Sequence, residues 1–431
     1  MPTRLPQSPT MTTAMVINSG EHKPEVITLS NGIRVVFDVD KGHPTAAVGA
    51  LVASGSRFED DHTRGLSHFM EHILFKGTEH RSSLEISSAI ENVGGELNAF
   101  TDTQYTMFYM RVPRIHMSLA LDVLSDILLY PLFDPAAIEL ERRVIEQEIY
   151  SFEDSPDDVV TDELLKGVYG SDPVASNPLG TVESVRSFRR SDFVDYFHRR
   201  FTAPDIVLSL AGDVDVDASA RFLEDSFGRL AKGPGRAEWG IPIRTAVRKE
   251  TERPTEQVYL AMALPGFAQY SKKGSILNLV STIFGGNMSS RLFQRAREKE
   301  ALVYSIGSFP VAFSNTGLLG ISAESTPENA LRVQQVIREE IENMRQEKIS
   351  MAELQHAKDT VLGGFLLSLE SFFRRMHRNA SELYMRDKIR TVADVTEQVN
   401  SITLGEALSV IDDVFDTSQL AVSIVHGPDK H

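Results

Sequence analysis

The sequence predicts an α+β protein made of two similar halves, and three observations carry that reading. The chain has 431 residues, enough for two or three domains at about 150 residues each. One stretch rich in Gly, Pro and charge, Gly228–Pro254, lies just past the middle and reads as a linker with room for a strand at its end. The two sides also match at a constant offset of 214 residues. Phe201–Leu210 (FTAPDIVLSL) and Phe415–Ile424 (FDTSQLAVSI) each follow a helical segment. Val185/Val399, Ser187/Ser401, Phe188/Ile402 and Phe197/Ile411 keep the same spacing. The expected layout is a disordered tail over 1–20, a first domain over 21–228, a linker over 229–254 and a second domain over 255–431.

In the first half, β-branched and aromatic runs predict strands at Val26–Val39, Pro44–Ser54, Gly95–Thr101 and Tyr105–Val112. Asp102-Thr103-Gln104 is short enough to be a hairpin loop between the last two. Helices are expected at Gly65–Phe75, Leu84–Val93, Ile115–Leu129 and Pro135–Phe152. The last has Asp134 as its N-cap and Pro135 in the first helical position. In the second half, Val258–Leu264 and Gly317–Ala323 read as strands. Ser275–Phe284, Ser290–Glu298 and Pro327–Gln346 read as helices, as does a long segment, Met351–Tyr384, that need not be continuous. Trp239, in the linker, is expected to pack the halves together.

Composition narrows the function classes. Apolar residues make up 42% and charged residues 24%, an ordinary globular balance. With no cysteine, a disulfide framework, a thiolate-held cluster and a thiolate zinc site are all excluded. Any metal must be held by nitrogen and oxygen. A formal charge of −16 argues against nucleic acid and anionic membranes. No apolar run nears the roughly 20 residues of a membrane span. The first 20 residues carry one Arg and no apolar core, so a secretory signal is not expected. Their lack of acids leaves organelle import as a weaker reading, and cytoplasm is the default compartment.

His68-Phe69-Met70-Glu71-His72 lies inside the predicted helix Gly65–Phe75. Four-residue spacing stacks the two imidazoles on one face, where they can share one metal ion. Glu71 points to the same side without being a ligand. A carboxylate beside a metal-activated water is what hydrolysis needs, because it can take the water's proton. A third ligand is sought in IELERRVIEQEIYSF. At about 100° per residue, Ile138, Ile145, Ile149, Phe152 and Val144 form one broad apolar face. Glu141 and Glu148 fall inside that face, whereas Glu139, Glu146 and Glu153 fall outside it. Both inward acids remain candidates on this geometry, since a buried carboxylate is normally paired or metal-bound.

The order H-x-x-E-H marks the inverzincins, and the chain resembles the pitrilysin-type zinc peptidases. These include insulin-degrading enzyme and the catalytic subunit of mitochondrial processing peptidase. The resemblance extends over nearly the whole chain and implies two homologous domains, each a mostly antiparallel sheet with helices on one face. It implies one Zn2+ per chain, held by His68, His72 and the glutamate 76 positions beyond His72, which is Glu148. Glu141 then matches the accessory glutamate that orients the site. Glu71 would be the general base. Gly94–Thr101 (GGELNAFT) matches the family's edge strand, where Asn98 and Ala99 would hold the substrate backbone by strand addition. Arg297 and Tyr304 match its substrate-binding pair, with Arg297 on a substrate carbonyl and Tyr304 donating to the oxyanion. Ile276–Phe284 contains no His, so the second half should bind no metal. The glycine-rich loop of the processing peptidase's non-catalytic subunit is absent, which argues against presequence processing by that mechanism.

The expected activity is endopeptidase cleavage of short or unfolded peptides, with basic peptides favoured by the negative charge. The alternative is a non-catalytic peptide-binding or partner subunit of a heterodimeric peptidase, though such chains lose the HxxEH residues and this one keeps them. A homodimer sharing its sites between chains is expected, otherwise a heterodimer with a paralogous subunit. The run Arg374–Arg378 is expected to be a solvated basic face. His43, His116 and His356 have no ligand spacing.

Overall fold

Two mixed sheets organise the chain in a computed structural model that describes residues 23–233, 235 and 239–428. The tail read over 1–20 lies outside the described residues. The first sheet contains β1 (Glu25–Thr28), β2 (Arg34–Val39), β3 (Thr45–Val52), β4 (Glu96–Thr101), β5 (Thr106–Pro113) and β6 (Ile206–Gly212). Its order is β1-β2-β6-β3-β5-β4, antiparallel except for β2 on β6. The second sheet contains β7 (Arg248–Glu252), β8 (Val258–Pro265), β9 (Val303–Ala312), β10 (Gly317–Ser325) and β11 (Ala421–His426). Its order is β7-β11-β8-β10-β9, antiparallel except for β7 on β11.

Apart from β1, the two orders are the same, with β6 and β11 as the strands the repeated segments predict. The expected strand Val26–Val39 is a hairpin instead, because Gly32 turns the chain at φ +102°. β7 is the strand at the end of the linker stretch. β9 was not foreseen; its alternation is interrupted by Gly307 and Pro310.

Each sheet packs helices of its own half on one face. In the first half, Ile33, Val35 and Phe37 of the β2 region and Val48 and Ala50 of β3 meet Phe69, Leu124, Ile145 and Phe193. The opposite faces are covered by an exchange between halves. The helix Pro156–Tyr169 lays Val159, Val160, Leu164 and Val168 on Ala261, Ala263, Ala421 and Val425 of the second sheet. The helix Phe372–Arg386 lays Phe372, Met376, Ala380 and Leu383 on Val36, Ala47, Leu51 and Val207 of the first. Ala261, Ala263 and Ala421 under the former, and Ala47 and Gly49 under the latter, allow close approach. Each large apolar side chain buried this way is worth roughly 1.5–3 kcal/mol, so the exchange ties the halves together.

This arrangement corrects the reading of Arg374–Arg378 as a solvated face. Met376 is fully buried. Arg375 pairs with Asp38 and with Asp40 at 2.9 Å, and His377 Nε2 lies 2.9 Å from the Tyr105 hydroxyl. Only Arg374 of the run is exposed. The segment Met351–Tyr384 is indeed two helices, Met351–Ser368 and Phe372–Arg386.

Trp239 bridges the halves, as expected. Its ring stands edge-on to Phe58 at 5.1 Å and under the Arg57 guanidinium at 4.7 Å. Its carbonyl accepts from Asn315 Nδ2 at 3.2 Å. Nearby, Ser314 N–H donates to Gln104 Oε1 at 2.9 Å, so the two hairpin tips touch. Among the described residues no helix is long and apolar enough to cross a membrane.

Candidate metal centre

The helix Leu66–Leu74 starts where two glycines cross. Gly65 has φ +88° and Gly180 has φ +72°; a Cβ on Gly65 would lie 2.7 Å from Leu179 O, and one on Gly180 would lie 2.5 Å from Arg64 O. Gly65 has no side chain to cap the helix, and Glu59 does so from the preceding loop. Its carboxylate accepts from Gly65 N–H at 2.8 Å and Ser67 N–H at 2.6 Å. Burial, only partly offset by these donors, pushes the Glu59 carboxyl up to about 7. Ser67 Oγ and the Tyr196 hydroxyl, 2.6 Å apart, fix the same turn.

Leu66, Phe69, Met70, Ile73 and Leu74 face the core. That phase leaves His68, Glu71 and His72 on the other side, half-buried. Opposite them runs the helix Pro135–Glu153, whose Asp134 cap accepts from Ala137 N–H at 3.0 Å. Its buried face is Ile138, Ile145 and Ile149, with Glu141 and Arg142. Val144 is exposed, which corrects its assignment to that face. The inward acids are Glu141, buried, and Glu148, partly exposed at the rim. Glu139 and Glu146 form ion pairs with Arg142 and Arg186, each at 2.9 Å.

His68, His72 and Glu148 each present a donor atom, all within 4.8 Å of one another. Glu148 Oε2 is 3.6 Å from His68 Nε2 and 3.6 Å from His72 Nε2. Ligands about 2.0–2.2 Å from a tetrahedral zinc stand about 3.4 Å apart, so the three atoms fit one small ion. Among the described residues this is the one such group of His, Asp or Glu. His68 is prepared for a metal in its neutral form, since burial and the neighbouring His72 hold its imidazole down at about 3. For His72, burial works downward, but the Glu141 contact and the carboxylates of Glu148 and Glu71 outweigh it and raise its pKa. His72 Nδ1 lies 3.2 Å from Glu141 Oε2. An ionised Glu141 only accepts, so it favours a proton on Nδ1 and leaves Nε2, the atom facing Glu148, as the one to bind a metal.

Glu71 is not in the donor group. Burial raises its pKa, opposed by the Thr101 hydroxyl. That hydroxyl donates to Glu71 Oε2 at 2.5 Å, which leaves Oε1 for a reacting proton. Thr101 ends β4, a strand at the open edge of the first sheet. Asn98 and Ala99 lie on the same edge strand, and the Ala99 N–H donates to Asn98 Oδ1 at 2.8 Å.

Arg297 and Tyr304 meet each other elsewhere, on the second half. The guanidinium stacks 5.3 Å from the Tyr304 ring and 5.0 Å from Phe293. Among the described residues no hydrogen bond, ion pair or ring contact joins this pair to the metal group. The expected helix Ser290–Glu298 is a short α-turn, Arg291–Phe293, running into a π-helical turn, Gln294–Lys299. Ala301 then takes the left-handed conformation at φ +50°. Ser305 pairs with Glu324 and Val303 with Ser325, so Tyr304 is the extra residue of a bulge and stands 81% exposed. Three irregularities within eleven residues aim these two side chains at open space.

Sequence reading missed Glu59, Thr101 and Lys76, whose Nζ lies 2.8 Å from Glu141 Oε1. Thr101 had a signal: Leu97, Ala99 and Thr101 share one strand face. Lys76 had one too, lying four residues beyond His72. Glu59 had none, because a cap supplied by a loop leaves no fixed spacing.

Residues 34–182 match the model of insulinase, peptidase family M16, and residues 187–361 match that of the peptidase M16 inactive domain. The chain is 31% identical over 399 residues to the uncharacterized zinc protease YmxG of Bacillus subtilis, covering 92% of this chain and 97% of that one. It is 33% identical over 420 residues to an uncharacterized zinc protease of Mycobacterium tuberculosis, covering 95% and 93%. Its fold matches a crystal structure of a protease from Helicobacter pylori with a TM-score of 0.87 at 20% identity, over 95% of this chain and 100% of that one. A peptidase M16 inactive domain from Pseudomonas fluorescens matches at 0.88 and 18% identity, over 95% and 98%. With a sequence match in each half and relatives aligned almost end to end, the chain belongs to the insulinase family of peptidases, M16.

Proposed function

We propose that this chain, a zinc metallopeptidase by its family and its donor set, is an endopeptidase for short or unfolded peptides. The observation that carries the reading is the convergence of His68, His72 and Glu148, with Glu71 alongside but outside the donor group. Zinc, when bound there, acidifies water and polarises the scissile carbonyl. Thr101 holds one oxygen of Glu71, so the other takes the proton from the attacking water and later delivers it to the leaving amine. No side chain at the site is placed as a nucleophile, and attack by water is direct. Glu141 keeps His72 in one orientation and tautomer.

The substrate adds as a strand along β4, which has a free edge beside the helix Leu66–Leu74. It displaces the Asn98 side chain from the Ala99 amide. A folded protein cannot offer such a strand, and a charge of −16 draws basic peptides. A second copy supplies the exposed Arg297 and Tyr304 to the metal site, Arg297 to a substrate carbonyl and Tyr304 to the oxyanion. The deciding experiment combines metal analysis of the purified protein with cleavage of a fluorogenic peptide. Cleavage should stop with chelator and return with zinc. Stoichiometric zinc without peptide cleavage would instead mark a non-catalytic, peptide-binding subunit.

A further inference from the structure

The two histidines of the metal group are held very differently. His68 Nδ1 is buried and has no hydrogen-bond partner among the described residues. His72 Nδ1 is backed by Glu141 Oε2 at 3.2 Å, and the other oxygen of that carboxylate, Oε1, is 2.8 Å from Lys76 Nζ. Glu141 is 4% exposed. A carboxylate this deep needs a compensating charge. A metal-bound imidazole is neutral and provides one N–H but no charge, which leaves the Lys76 ammonium as the cation touching Glu141 among the described residues.

The backbone holds Lys76 at that spot. It follows the end of the helix Leu66–Leu74, where its N–H donates to Ile73 O at 3.0 Å. The next turn is pinned to the protein by Thr78, whose hydroxyl donates to the buried Asp126 at 2.7 Å. Arg81 Nη1 reaches the same carboxylate at 2.8 Å. His68, His72 and Lys76 thus follow one another at four-residue spacing, with the third placed behind the second.

We infer that Lys76 is a positioning residue for the metal: it fixes and neutralises Glu141, which in turn holds the imidazole of His72 on the ion. This rests on the metal-site reading above but not on the peptidase activity, because it concerns affinity for the metal. Removing the direct partner of a metal ligand typically costs about 10–100-fold in affinity, and Lys76 acts through such a partner, Glu141.

The test is zinc affinity of the full chain, measured by competition with a chromophoric chelator. Lys76→Met should weaken zinc binding about tenfold, the lower end of the range for the ligand's direct partner, while Lys76→Arg keeps the charge and should stay near wild type. In a Glu141→Gln background, Lys76→Met should cause no further loss, since its route to the metal is already cut. If Lys76→Met does not fold, as judged by circular dichroism, Lys76→Gln is read by the same criteria. An unchanged zinc affinity, or an equal loss in the Glu141→Gln background, would overturn the inference. A wild-type chain that binds no zinc would sink the metal site itself, a failure visible before any variant is compared.

Discussion

The two sheets share a strand order, yet the helices after their matching strands β3 and β8 differ in kind. The first-half helix, Leu66–Leu74, carries His68, Glu71 and His72 on its half-exposed side. The second-half helix, Lys272–Phe284, carries no such side chain; it offers Asn278 and Thr282 where solvent begins. Their starts differ as well. Ser271 caps the second helix by accepting from Gly274 N–H at 2.9 Å, an arrangement found at many helix ends. The first is capped by the buried carboxylate of Glu59. The second half in turn has the irregular backbone around Arg297, Ala301 and Tyr304. On the proposed function, one scaffold thus separates two jobs: metal and base on one copy, an exposed Arg/Tyr pair on the other.

The largest effect expected from that division is on the base. Glu71→Gln should keep zinc, as its oxygens are not in the donor group, and should lower kcat by about 10²–10⁴-fold. Near wild-type turnover by this variant would remove Glu71 from the mechanism.

Next come the carboxylates of the helix Pro135–Glu153. Glu148→Gln should strip most of the metal, because it removes a charged donor. Glu146→Gln should leave metal content unchanged, since that side chain is occupied by Arg186 at the surface. The reverse pattern would mean that the helix is in the wrong phase.

Whether the two jobs meet across chains is open to complementation. Glu71→Gln protein is mixed with protein carrying Arg297→Ala and Tyr304→Phe. If sites form in trans, a mixed dimer has one site with both lesions and one with neither, and about half the activity of a wild-type dimer should return in it. No recovery despite verified subunit exchange would confine each site to its own chain.

The smallest effect sharpens the contrast between the caps. The Glu59 carboxyl is raised from 4.5 to about 7 by burial. An acid raised on folding contributes most below 4.5 and loses that contribution as pH rises through about 7. Glu59→Gln removes the titrating group. The stability of wild type minus that of the variant, from urea unfolding, should therefore fall by up to about 3 kcal/mol between those limits. A difference that is flat with pH would contradict a buried, titrating cap.

Much of the site was legible because it is local. The spacing of His68, Glu71 and His72, and the phase of Glu141 and Glu148, follow from the 3.6-residue turn of a helix alone. The same period could not choose between the two glutamates, since both point inward; that took a family pattern, and in the structure Glu148 joins the donor group while Glu141 stands behind His72. Val144 was misplaced because a wheel has no knowledge of what lies opposite each direction.

By itself, then, the sequence determined two α+β halves, the metal-binding motif in the first and its absence from the second, because each is written within a few turns of chain. The tertiary structure decided what joins distant segments. It put the Phe372–Arg386 helix against the first sheet and so buried a run that looks solvated. It set Thr101 on Glu71 across 30 residues, Glu141 between His72 and Lys76 across 69, and the exposed Tyr304 on a bulge. Such contacts depend on which element packs against which, and periodicity shows that a residue faces inward but not what it meets there.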